Sequence, residues 1–75
     1  MTLAKLAMQT PSRIVGFARL SEIDELRFSA LGLRAGSTVT KLLKTPLQDP
    51  IECLVDSQLL ALDAWLLHHI LVEPR

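Results

Sequence analysis

Two glycines and two prolines, spread over twenty-one residues, limit what the middle of this chain can become. The stretch runs Leu31-Gly-Leu-Arg-Ala-Gly-Ser-Thr-Val-Thr-Lys-Leu-Leu-Lys-Thr-Pro-Leu-Gln-Asp-Pro-Ile51. Gly32 follows an amphipathic segment at the place where a helix needs a residue of positive φ to stop. Gly36 precedes a β-branched run and marks a turn into a strand. Thr38, Val39, Thr40, Leu42 and Leu43 read as that strand, alternating at first and then apolar on both faces. Pro46 and Pro50 bracket Leu47-Gln48-Asp49. Each fixes its own φ and biases the preceding residue away from helix, so the loop is stiff and projecting, with ends that rejoin a sheet.

The flanking sequence follows the same logic. Leu3 and Leu6 fall at helical spacing in a segment long enough for one turn, expected to pack on the main body. Residues 9–12 break the pattern, and Arg13 to Phe17 reads as a first strand in which Gly16 permits a bulge. Ser21 is an N-cap with Asp24 at N3, and Glu22, Asp24 and Glu25 complement the start of a helix dipole. Ile23, Leu26, Ala30 and Leu31 give that helix its expected apolar face, and its charges form a solvated one. Further on, Ile51–Val55 and Gln58–Leu62 read as strands joined by the two-residue turn Asp56-Ser57. Asp63 is expected to cap a last short helix, Ala64–His69, before a final strand from Ile70 to Glu73. Four or five short strands with two helical insertions, in one domain covering 1–75, describe a mainly β, partly open barrel.

Composition narrows the function. A chain of 75 residues buries only about 60% of its unfolded surface. Eight basic and eight acidic residues leave zero net charge, so no long-range field draws the protein to nucleic acid or anionic lipid. One cysteine excludes an internal disulfide framework and fits a reducing compartment. No run approaches the roughly 20 apolar residues of a membrane span, so the expected setting is cytoplasmic, without direct membrane insertion. Yet 49% of the residues are hydrophobic, which is high for so much surface and implies exposed apolar side chains that meet a partner.

The order Leu31-Gly32-Leu33, Ala35-Gly36, Pro46-Leu47, Asp49-Pro50-Ile51, closing with Ile70-Leu71-Val72-Glu73, resembles the FeoA family, small cytoplasmic proteins of bacterial ferrous iron uptake. With Ile14-Val15-Gly16-Phe17 the resemblance extends over almost the whole chain. It implies an SH3-like barrel and a partner, the FeoB-type membrane ferrous iron transporter with its cytosolic GTP-binding domain. Three positions depart from the family pattern. Gln48 stands for a glycine in the proline loop, Ser57 for a glycine in the later hairpin, and Asp63 for a basic residue before the last helix. The tips of loop and hairpin are therefore expected to differ locally within an intact frame.

Catalysis is not expected. No serine, cysteine or lysine nucleophile comes with a spaced base and orienting acid, and the glycines are too scattered to cradle a phosphate. Cys53 reads as a half-buried core thiol. His68 and His69 are adjacent, so on a helix their rings diverge by about 100° and cannot easily share one ion. Any iron or zinc bound there would be intermolecular or adventitious, and no cofactor is required. The expected partner-binding residues are Pro46, Leu47, Gln48, Asp49, Pro50, Trp65 and Leu66. The apolar centre at Trp65-Leu66 also suits a homodimer bridged by histidines of two copies. The alternative reading is an autonomous transition-metal-binding or metal-responsive domain, since similar barrels end the iron-dependent repressors of the DtxR type. The DNA-binding helices of such a repressor are missing.

Overall fold

A computed structural model describes residues 1–44, 46 and 49–75, with the side chain of Lys44 left aside. The elements follow in the order of a short N-terminal 3-10 turn (Leu3–Lys5), β1 (Ser12–Phe17), α1 (Glu22–Ala30), β2 (Thr38–Lys44), β3 (Ile51–Val55), β4 (Gln58–Leu62), a 3-10 helix (Ala64–His69) and β5 (Ile70–Pro74). The strands form one five-stranded antiparallel sheet in the order β4-β3-β2-β1-β5. This is the mainly β, partly open barrel that the strand spacing implies.

Alternation is the reason these segments lie down as strands. In β3, Ile51, Cys53 and Val55 face inward and Glu52 faces out. In β1, Ser12 and Ile14 are buried while Arg13 is exposed. There the register slips: Ile14 faces Val72 and Gly16 faces Leu71, leaving Val15 as the extra, exposed residue of a bulge. A second slip in β2 lies between Lys41 and Leu43. The Asp56-Ser57 turn falls where its sequence places it, with Asp56 at φ 54°.

Ser21 caps α1 as expected, its hydroxyl oxygen accepting the Asp24 N–H at 3.2 Å. The helix stops at Gly32, whose φ is 86°, and its N–H returns to the Ser29 carbonyl. Gly36, at φ 96°, starts the turn into β2.

The face that α1 buries is not the expected one. Ile23 and Leu26 are 65% and 71% exposed, and Leu31 and Ala30 also lie on the surface. Phe28 alone anchors the helix, buried to 2% and meeting Phe17 edge-on at 5.1 Å between ring centroids. A nine-residue helix perched on a small sheet has room to insert one large side chain, and the aromatic ring fills that room better than an aliphatic stripe.

The core joins Leu3, Ile14, Phe28, Leu33, Val39, Leu62, Leu67, Ile70 and Val72. The first 3-10 turn covers one end of it, as the spacing of Leu3 and Leu6 requires. Lys41, only 5% exposed, reaches this turn and donates from Nζ to the Ala4 carbonyl at 3.2 Å.

Two substitutions in α1 separate the helix's true anchor from its expected one. Phe28→Ala should cost about 3–5 kcal/mol in urea unfolding, while Leu26→Ala should change stability by less than about 0.5 kcal/mol. Comparable losses in the two variants would contradict the orientation of α1. At its end, Gly32→Val should cost at least about 1 kcal/mol, because a Cβ there meets nothing closer than Gln58 Oε1 at 3.7 Å and the penalty is the positive φ itself. Gly16→Ala, where an added Cβ meets nothing within 4 Å, is the control and should melt normally.

Candidate functional site

At Asp49 the proline loop meets the start of the 3-10 helix. Asp49 Oδ1 accepts the N–H of Ala64 at 2.9 Å, although fifteen residues separate them. The expected cap, Asp63, makes no side-chain capping bond. The physical reason is direction: β4 delivers Asp63 with its exposed side chain turned outward, and the loop carboxylate supplies the acceptor instead. The Asp49-Pro50 peptide is cis. Pro46 is exposed and Pro50 half-buried, whereas Leu47 and Gln48 lie outside the described residues.

The helix itself is of the tighter 3-10 type, so successive side chains are spread about 120° apart. Leu67 points into the core at 2% exposure, Leu66 is half-buried against it, and Trp65 remains 49% exposed. The first 3-10 turn packs alongside this helix without covering Trp65. Asp49 is thus held at Ala64, the residue before Trp65, while half-buried Leu66 packs against the core.

The two histidines have different surroundings. His68 is exposed. His69 is half-buried, its Nδ1 lying 2.8 Å from the Ala18 carbonyl, and the Ala18 N–H returns to the His69 carbonyl at 2.9 Å. With Nδ1 carrying the proton for that bond, Nε2 is the nitrogen left as an acceptor or ligand. Trp65 meets the same ring edge-on at 5.8 Å. Among the described residues, no group of three or more His, Cys, Asp or Glu side chains converges as a metal site.

Cys53 is more deeply placed than its sequence suggests. It is fully buried rather than half-buried, because its strand faces the core at that register. Burial pushes the thiol up to about 11, against the opposing pull of the Lys41 charge. Lys41 was not legible as a buried residue, since a lysine at a strand centre usually points outward. It lines, with Leu6, Met8, Ile51, Leu67 and His68, an open cavity of about 440 Å³.

Two measurements check this geometry. Asp49→Ala should cost about 1 kcal/mol in chemical unfolding through loss of the cap, while Asp63→Ala should be near neutral. The reverse order would contradict the cap. At pH 8 the folded protein should resist iodoacetamide at Cys53 and react only once unfolded, because the thiolate is scarce and enclosed. Rapid, complete labelling of the native protein would contradict it.

Comparison with known proteins gives a consistent picture. The family model described as FeoA domain matches residues 1–74. No curated protein sequence matches the chain. The solution structure of iron(II) transport protein A from Clostridium thermocellum superposes with TM-score 0.84 at 27% identity, covering 99% of this chain and 45% of that one. This chain thus spans less than half the length of that relative. The FeoA protein of Chlorobium tepidum gives TM-score 0.86 at 27% identity, covering 99% and 70% of the two chains. Stenotrophomonas maltophilia FeoA, a prokaryotic SH3 domain protein complexed with zinc, gives 0.78 at 25% identity over 97% and 89%.

Proposed function

Because the chain belongs to the FeoA family, associated with ferrous iron transport, we propose that it is a cytoplasmic accessory protein, not an enzyme, that docks on the cytosolic part of a FeoB-type transporter and modulates it. Docking runs through the proline loop, residues 46–50, and through the start of the 3-10 helix at Trp65. One observation carries this reading: the Asp49–Ala64 hydrogen bond joins the loop to the helix beside a tryptophan left half-exposed. A large exposed aromatic beside a proline-bracketed segment is the kind of anchor that dominates small interfaces, since little side-chain entropy is lost on binding.

A second reading concerns metal. The zinc-complexed relative, with exposed His68 and the Nε2 of His69 on this chain, favours divalent iron or zinc bridging two copies across the Trp65 surface. No cofactor is required for the first reading, and a homodimer is required only for the second.

A pull-down with the purified cytosolic part of a FeoB-type transporter tests the first reading. Trp65→Glu and Leu47→Asp should each weaken capture by about tenfold or more while the barrel stays folded. Unchanged capture by both variants would end it. Sedimentation at tens of micromolar, with and without zinc, tests the second. Zinc should promote a dimer that His69→Ala weakens, and a monomer under both conditions would end that reading.

A further inference from the structure

Three parts of the chain meet around the open cavity beside the last 3-10 helix. The N-terminal segment supplies Leu6 and Met8, β2 and β3 supply Lys41 and Ile51, and the helix supplies Leu67 and His68. A void of about 440 Å³, lined mainly by apolar groups with a few polar ones at fixed places, has the size and make-up of a small-molecule site.

Lys41 gives this void a charge. Alternation along β2 turns Lys41 to the inner face with Val39, and the register slip that follows leaves exposed Leu43 opposite exposed Glu52. The Lys41 backbone is fixed as well, its carbonyl accepting the Gln9 N–H at 2.6 Å. The bond from Nζ to the Ala4 carbonyl uses one of three ammonium N–H groups, and a carbonyl dipole does not cancel a full charge. That charge is felt at Cys53, directly opposite on β3, where it works against the effect of burial on the thiol. Exposed His68 adds an imidazole N–H. Among the described lining residues there is no Asp or Glu. Asp49 is bonded to the N–H of Ala64, a lining residue, but does not itself line the cavity.

The pairing of a buried cation with apolar walls selects the ligand. A ligand cation is repelled by Lys41, and a neutral hydrocarbon excludes water from the ammonium without replacing it. A small hydrophilic anion gives up hydration and gains no apolar contact. A carboxylate with a hydrocarbon tail meets both requirements.

We propose that this cavity binds a small monocarboxylate with a hydrocarbon tail, its carboxylate at Lys41 and its tail against Leu6, Met8, Ile51 and Leu67. Trp65, Asp49 and Pro50 are not among the lining residues, so the inference does not depend on the transporter reading.

The test is amide and methyl NMR of the full chain in metal-free buffer, titrated with hexanoate. Resonances of Ala7, Met8, Ala64 and His68, all at the cavity, should shift together. Acetate, hexanol, hexylammonium and inorganic phosphate should each bind at least about tenfold more weakly, for want of the tail or of the negative charge. Lys41→Met keeps the apolar length and removes the charge. It should lower hexanoate affinity about tenfold while thermal unfolding stays cooperative. Should that variant not fold, His68→Glu, at an exposed position, decides instead and should weaken hexanoate by charge repulsion. Equal binding of hexanol or hexylammonium would reduce the site to an apolar groove, and equal binding of phosphate or acetate would mean an adventitious ion only. Either result overturns the proposal, as would unmoved cavity resonances or undiminished hexanoate affinity in the deciding variant.

Discussion

The structure depends on β1 lying between β2 and β5. That position pairs residue 12 with both Val39 and Pro74, so one strand binds the middle of the chain and its end into the same ladder. Such long-range closure is entropically costly before it is rewarded, and here the reward is concentrated in Ile14, Ile70 and Val72, all essentially fully buried. Arg13 and Glu73 pair across the outer face of the same ladder, where solvent leaves the ion pair with little weight. Ser12 is a fully buried polar residue of this ladder, and its hydroxyl donates to the Val39 carbonyl at 3.1 Å. Once this ladder exists, the remaining elements have fixed places. The first 3-10 turn and the last 3-10 helix close one end of the barrel, while α1 hangs on the sheet through Phe28.

Most of the frame was legible because it rests on local chemistry. Gly32 and Gly36 take the positive φ that their positions demand, Ser21 caps α1, and Asp56-Ser57 turns the hairpin. Each of those outcomes is decided within about four residues. The errors lie where the deciding partner is far away in sequence. Helical spacing correctly grouped Ile23, Leu26 and Leu31, but spacing cannot say which side of a helix the sheet will touch. Phe17, eleven residues before Phe28, settled that by offering an aromatic partner. Likewise Asp63 has the composition of a cap, and Asp49 has the position of one.

The candidate site was legible in part. The proline loop and the apolar helix start are both visible in the sequence, and the structure links them through the Asp49–Ala64 hydrogen bond. What the sequence concealed was the division of labour inside Trp65-Leu66-Leu67. A 3-10 helix separates successive side chains more widely than an α-helix, so one leucine enters the core, one lies across it and the tryptophan is left outside. The histidines divide in the same way, His69 spent on the Ala18 carbonyl and His68 open to solvent.

The distribution of reactive and apolar groups bears on what kind of work this surface supports. Cys53 and Lys41 are both buried, one with its thiol proton held tightly and the other donating to Ala4. The surface carries several large apolar groups: Ile23 and Leu26 on α1, Leu59 on β4 and Trp65 on the 3-10 helix, each at least 49% exposed. A domain of this size cannot hide every large apolar residue, and scattered single leucines need no explanation. Trp65 is different because it follows a residue fixed by the proline loop, which adds direction to an otherwise non-directional attraction. Its neighbour Ala64 is held by the Asp49 carboxylate of that loop. Shape and backbone polarity, rather than net charge, then determine what such a neutral surface selects.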